Sequence, residues 1–326
     1  MRTIDISHRT IIFTVFFLLG LWILWEIKDI ILLLFVAFLI ATALEFPMAQ
    51  LSRLRIPRPV VIILMYIILF AIIAGFAVSV VPPLIDQTSH FVNNVPRYLS
   101  ELGINVIDQK ALADQVATLG ELPVNLFRFA TSVLSNVINV IAVLVLAFYL
   151  LLERAAIDRR LRLLFGDDAN RTRDVLSKVE LKLGRWVRGE LILMTIIAIT
   201  TYVGLRLLDV QFALPLAILA GVLEIVPNVG PVVAAAPAIL VGFTVSPVLG
   251  LSVAALYFLI QQLENIVVVP KVMQASVGIS PLVTLVALGI GAKLGGIMGA
   301  ILAIPVFLVV QVLVTEFFKG KVGKLL

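Results

Sequence analysis

Residues 221–237, Gly-Val-Leu-Glu-Ile-Val-Pro-Asn-Val-Gly-Pro-Val-Val-Ala-Ala-Ala-Pro, set a carboxylate (Glu224), an amide (Asn228) and three prolines (Pro227, Pro231, Pro237) inside a long apolar region. Proline lacks a backbone N–H and clashes with the turn before it, so a helix beginning near Phe212 is expected to break near Pro227. In hydrocarbon a broken backbone survives only where protein buries it or where it lines a wet cavity. An ionisable side chain at that depth is costly and points to function. The plainer alternative is a kinked helix that leaves Glu224 at the headgroups.

Composition makes hydrocarbon the setting. Of 326 residues, 61% are hydrophobic and 14% charged, whereas soluble domains average roughly half and a quarter. The fold class is therefore an all-α polytopic membrane protein, embedded in a lipid bilayer. Spans are read at 11–25, 30–43, 60–81, 129–152, 191–208, 249–269, 279–292 and 295–318. Glu26, Lys28 and Asp29 are read as a tight polar turn between the first two. Two shorter pieces, 212–226 and 232–245, suit a Pro/Gly-broken re-entrant hairpin or two full crossings. The total is about eight transmembrane helices plus the hairpin, or about ten crossings without it.

The chain divides accordingly. Residues 1–81 carry the first three spans. Residues 82–128 form an external amphipathic region, where Leu84, Thr88, Phe91, Val95, Tyr98 and Leu102 recur in steps of four and three. That stripe can face the membrane, its own chain or a second copy in a homo-oligomer. Residues 129–152 are the fourth span. Residues 153–190 are a charged loop, in which Val175, Val179 and Leu183 mark an amphipathic helix leading into the membrane. Residues 191–326 hold the broken helices. Basic residues concentrate at Arg2 and Arg9, at Arg53, Arg55 and Arg58, in 153–190 and at Lys319, Lys321 and Lys324. The positive-inside rule places these in the cytoplasm with both termini.

Several functions are disfavoured. The net charge of +5 belongs to these loops and is no signature of nucleic-acid binding. There is no cysteine, which removes disulfides and thiolate chemistry. His8 and His90 lack metal-ligand spacing, so neither metal nor cofactor is expected. No phosphate loop or zinc-protease helix is present, and an enzyme is the least supported class.

The polar set Glu224, Asn228, Gln261, Gln262, Glu264, Asn265 and Lys293, with Pro227, Gly230 and Pro231 at the break, is the candidate site for substrate or ion. Carboxylates and amides suit a hard cation or a polyhydroxylated solute, and broken helix ends add free backbone groups. Glu224 is read as a carboxyl that exchanges a proton for a cation or a solute hydroxyl, and Glu264 as the other coupling carboxyl, whose replacement hurts less if it sits nearer the cytoplasmic surface. Pro237, Pro270, Gly295, Gly296, Gly299 and Pro305 are candidate hinge and packing positions, since small residues let helices approach closely.

The run Glu224-Ile-Val-Pro-Asn-Val-Gly-Pro231, then Gln262-Leu-Glu-Asn265, Pro270-Lys271, Ser280-Pro281-Leu282 and the stretch from Gly289 to Pro305 resembles the AI-2E family of bacterial membrane proteins, the autoinducer-2 exporter-like permeases. The resemblance extends over nearly the whole layout. It implies about eight spans, a bacterial inner-membrane location and export of a small polar solute such as an autoinducer-2-like signal, coupled to a proton or sodium ion. A sodium–proton antiporter and a non-transporting membrane scaffold are the alternatives.

The orientation is testable on this cysteine-free chain. A single cysteine at Asp114 should react with an impermeant thiol reagent applied outside, and one at Arg171 only after the membrane is opened. Labelling of the Asp114 position from the cytoplasmic side alone overturns the orientation.

Overall fold

The computed structural model describes residues 8–51, 56–68, 70–71, 75, 82, 137–153, 169–273 and 278–322. The stripe expected at 84–102 lies outside the described residues. Among them every regular element is helical and there are no strands. In chain order these are α1 (His8–Glu26), α2 (Lys28–Leu51), α3 (Arg58–Ile68), α4 (Val137–Leu152), α5 (Ala169–Leu207), α6 (Ala213–Leu223), α7 (Val229–Val245), α8 (Pro247–Leu263), α9 (Val269–Met273) and α10 (Pro281–Val322). A π-helical turn, Glu264–Val268, joins α8 to α9. By length and composition alone four stretches are apolar enough to cross a membrane, Arg9–Glu26, Asn170–Leu207, Pro247–Val272 and Pro281–Phe318, the last of which folds back on itself at Gly295–Gly296.

The long helix α5 is the mast of the structure. Its 39 residues extend about 58 Å at the α-helical rise, from the charged region into the apolar one without interruption. The amphipathic lead-in expected at Val175, Val179 and Leu183 is its first part. There Val179, Leu183 and Trp186 pack against Ile304, Leu308 and Val312 of α10. Polar contacts continue that seam: Lys182 Nζ donates to Gln311 Oε1 at 2.7 Å, and Lys178 pairs with Glu316 at 2.9 Å. Further along, Ile197 and Leu205 join Leu216, Leu219, Ala234, Ala238, Val253 and Tyr257 in a core shared with α6, α7 and α8. A separate group forms where Ala37 and Ala41 of α2 meet Val61 and Ile62 of α3 and Val143 and Ala147 of α4. Tyr66 of α3 donates to the Leu144 carbonyl at 2.8 Å.

The structure refines the sequence reading in two places. The polar turn expected at Glu26–Asp29 is a single turn residue, Ile27, between α1 and α2. Ile27 N–H donates to the Ile23 carbonyl and Ile31 N–H to the Ile27 carbonyl, both at 3.0 Å, so hydrogen bonds bridge the turn on both sides. Lys28 sits over the Trp25 ring, 4.1 Å from its centre, a cation–π contact. The exposed flank of α1, including Phe13, Phe16, Trp22 and Trp25, needs no protein cover in lipid, whose tails are as apolar as leucine.

The second place is 279–292 and 295–318, whose expected division is present as two arms of α10. Between the two arms of α10, Gly295 (φ −137°) and Gly296 (φ 60°) leave helical geometry, and the chain reverses. Gly291 and Gly299 are eight residues apart, yet a Cβ on either would collide with the other's carbonyl oxygen. The arms are thus an antiparallel hairpin closed backbone to backbone. The first arm, 281–294, reaches only about 21 Å, short of a hydrocarbon core of about 30 Å.

This close approach gives a prediction. Gly291→Leu and Gly299→Leu should each destabilise the protein by about 1–3 kcal/mol or more, because backbone cannot rotate out of the way. Gly289, with nothing within 4 Å of an added Cβ, should accept alanine without loss. Thermal melts in detergent check this, and equal melting temperatures for all three variants refute it.

Candidate functional site

The helix break predicted at Pro227 lies at residues 224–228. Helix α6 ends at Leu223 and Glu224 caps it, with Glu224 N–H still bonded to the Ala220 carbonyl at 3.2 Å. Tight turns follow, from Ile225 N–H to Val222 (3.3 Å) and from Val226 N–H to Leu223 (3.1 Å). Asn228 then takes φ 65°, in the left-handed half of backbone space where asparagine is several-fold enriched. Gly230 is pressed against the Leu223 carbonyl, with no room for a Cβ. Pro231 is buried in the first turn of α7, where helix N–H groups lack intrahelical partners and a missing donor costs little. At 11 residues, α6 spans about 16 Å, so it cannot cross the hydrocarbon alone. Pro237 is buried inside α7.

A second irregularity faces the first. Helix α8 starts on Ser246, whose hydroxyl accepts from Leu249 N–H at 3.1 Å, and runs to Leu263. Its continuation is wound as a π turn beginning at Glu264. Such turns recur at functional sites because they re-aim one side chain inward. Here Glu264 is turned in to 1% exposure, beside Glu224 at 0%. Glu264 is therefore buried as completely as Glu224. The two carboxyl groups are close enough to act on each other electrostatically, and Gln261 Nε2 approaches Glu264 Oε2 at 3.5 Å. Ionised carboxylates only accept, and as such both Glu224 oxygens are without a donor. One proton held by the pair removes one of the two charges.

A third carboxyl, absent from the sequence-based site, lies close by. Glu190 of α5 is 3% exposed, and neither of its oxygens has a hydrogen-bond partner. It is near enough to Glu264 and Glu224 for their charges to act on one another. In the sequence it reads as the last acid of a charged loop. The signal that identifies it is periodicity: Val179, Leu183, Trp186, Glu190, Leu193 and Ile197 follow in steps of four and three, and all are buried. Glu190 thus occupies an apolar seam position.

Between these elements lies a cavity of about 340 Å³, within the usual size range of small-molecule sites. Its wall combines Trp186 and Leu193 of α5, Glu224, Pro227 and Asn228 of the break, Glu264 and Asn265 of the π turn, and Val269 of α9. Ile279, Pro281, Thr284 and Ile304 complete it. Of the sequence-predicted set, Glu224, Pro227, Asn228, Glu264 and Asn265 therefore meet at one cavity. Gly230 and Pro231 support the turn from behind, and Gln261 reaches the cluster through Glu264. Gln262 and Lys293 are exposed and do not line the cavity; Lys293 rides near the tip of the α10 hairpin. Gly295 and Gly296 form that tip, Gly299 closes it, Pro305 is buried beside Ile304, and Pro270 is half-buried in α9.

The family model described as AI-2E family transporter matches residues 11–319. The candidate transport protein YueF of Bacillus subtilis is 28% identical over 305 residues, covering 85% of this chain and 82% of YueF. The candidate transport protein BpOF4_00890 of Alkalihalophilus pseudofirmus is 25% identical, covering 91% of this chain and 84% of its own. The candidate permease PerM of Escherichia coli is 22% identical, covering 94% and 92%.

The backbone at Asn228 supplies a test of the break. Asn228→Gly should preserve stability, whereas Asn228→Val should cost about 1–2 kcal/mol for holding a β-branched residue in left-handed space. Melting temperatures read this directly, and indifference to valine contradicts the turn geometry.

Proposed function

Because the chain belongs to the AI-2E family of transporters, we propose that it is a secondary transporter that carries a small polar solute through the cavity between the α6–α7 break and the π turn. Its family and membrane-spanning helices make it a multi-pass membrane transport protein. The finer reading rests on one observation: a cavity in an apolar bundle whose polar wall is built from two chain irregularities and a carboxyl pair, Glu224 and Glu264. Oxygen-rich walls with free backbone groups suit a hydroxylated solute or a cation in a wet site. In this reading the bound proton leaves the pair when solute or cation enters, which couples transport to a proton gradient. Outward transport, as the resemblance to exporter-like permeases implies, completes the proposal. So do a bacterial inner-membrane location with both termini cytoplasmic, which the basic loops support, and assembly as a homo-oligomer.

Sodium–proton exchange is a second reading. What favours it is that Glu224, buried and without a donor, offers a hard monovalent cation the same oxygens it offers a proton.

The experiment is flux in proteoliposomes of the full chain, with an internal pH dye and imposed pH or sodium gradients. Candidate solutes come from a thermal-shift screen, since a ligand that binds only the folded state raises apparent stability. Glu224→Gln should fold and lose pH-dependent flux, while Asn228→Ala should bind solute more weakly. Wild-type flux with an unchanged pH profile in Glu224→Gln would return Glu224 to a structural role. Proton movement driven by sodium alone would select exchange over solute export.

A further inference from the structure

Glu190 is a buried carboxyl that the transport site as drawn does not use. We propose that it is a proton-accepting station working with the Glu224–Glu264 pair, so that the proton released by the pair passes to α5. This rests on the reading of the pair as the coupling centre.

Three observations carry the inference. First, Glu190 is 3% exposed and neither oxygen has a partner. A buried, unpaired carboxyl costs stability, and no bond it makes explains its position. Second, it stands on the helix face that borders the cavity, although its own side chain is not part of the wall. Trp186 and Leu193, four residues before and three after it, line that space, and residues at such spacing share a helix face. Third, Glu264 and Glu224 are its electrostatic neighbours. No group of three metal-ligating side chains converges among the described residues, which favours a proton over a multivalent ion as the shared occupant.

The charged groups around Glu190 fit this role. From α8 and its π turn Glu264 faces it, and from the end of α6, Glu224. On its own helix Arg185 and Arg188 are exposed, with Arg188 Nε donating to the Gly184 carbonyl at 2.9 Å. Lys182 is held by Gln311. Helix α2, which packs at Gly184 through Thr42, carries the half-buried Glu45, while Lys271 of α9 and Lys293 of α10 are exposed.

The transfer balances simply. The O–H bond of the protonated pair breaks, a water of the cavity carries the proton, and an O–H bond forms on the Glu190 carboxylate. The net charge of the three carboxyls is unchanged during the step, so no additional charge is left in the apolar interior.

The test uses the full chain in lipid. Infrared difference spectra between acid and alkaline pH report the C=O stretch of protonated carboxyl groups, without need of a substrate. Wild type should show bands from both the pair and Glu190. E190Q should lose one band and shift the band that E224Q removes, and its flux should no longer follow an imposed pH gradient. E190D should keep a titrating band at a shifted position. The melting temperature of E190L should hold or rise, whereas a structural role for the carboxyl would lower it. An E190Q spectrum and flux profile identical to wild type, with E224Q altered in both, overturns the relay alone. E224Q without effect in either overturns the coupling centre and the relay with it. If E190Q does not fold, an E190D spectrum unchanged in every carboxyl band overturns the proposal.

Discussion

Carboxyl groups held out of water, with no basic side chain among the described residues bonded to them, are a costly feature of this structure. The architecture around them exists to make that arrangement tolerable. Glu224, Glu264 and Glu190 sit at 0%, 1% and 3% exposure. In an apolar interior each ionised group would carry a desolvation penalty of several kcal/mol. Two features lower that cost. One proton held by Glu224 or Glu264 removes one of two neighbouring charges, and both border a cavity that can hold water. Neither would be reached by regular helices. Glu224 arrives because α6 stops after 11 residues, and Glu264 because the ladder of α8 loosens into a π turn.

Holding two irregular backbones together in hydrocarbon calls for something other than the hydrophobic effect, since lipid solvates apolar side chains as well as protein does. The structure uses backbone proximity. Gly230 lies against the Leu223 carbonyl, Gly221 against the Met194 carbonyl, and Gly291 and Gly299 against each other. These contacts join the break to α6, α6 to α5, and the two arms of α10. Van der Waals contact at this range is dense, and a single methyl group at any of them forces helices apart. The breaks thus keep their shape because the helices beside them cannot separate.

Much of this was legible in the sequence, for identifiable reasons. Proline and glycine act locally, so Pro227 predicted the end of α6 and Gly295–Gly296 a hinge. The apolar stripe at Val175, Val179 and Leu183 predicted the lead-in of α5. Features that depend on context were not legible. Charge at Glu26–Asp29 marked a turn but not its extent, which is the single residue Ile27, bridged by hydrogen bonds to Ile23 and Ile31. No residue type encodes a π turn, so the inward aim of Glu264 was unseen. Glu190 was hidden by its neighbours: within a run of charges one more acid looks solvated, and only the steps of four and three place it on the buried seam. Lys293 misled in the opposite sense, because a lone cation among glycines resembled a ligand but stands at an exposed hairpin tip.

The same geometry says which parts of the site can change. On one side the cavity is bounded by the α5–α10 seam, where Trp186 and Ile304 line it and Leu183, Leu308, Val179 and Val312 continue the packing. The contacts of Lys182 with Gln311 and Lys178 with Glu316 fasten that seam further. Opening it would separate interdigitated side chains and two polar pairs together. On the other side stand the α6–α7 break and the π turn, whose backbone is already partly unwound. Moving a π turn by one residue, or re-forming the turns at 225–228, exchanges one or two backbone hydrogen bonds, each worth about 0.5–1.5 kcal/mol net. In the transport reading proposed above, a proton or solute binding at Glu224 and Glu264 would supply energy of that order and act on the residues whose positions the irregular backbone sets. On that proposal, coupling between occupancy and shape would concentrate on the broken side, with α5 and the second arm of α10 as the fixed frame.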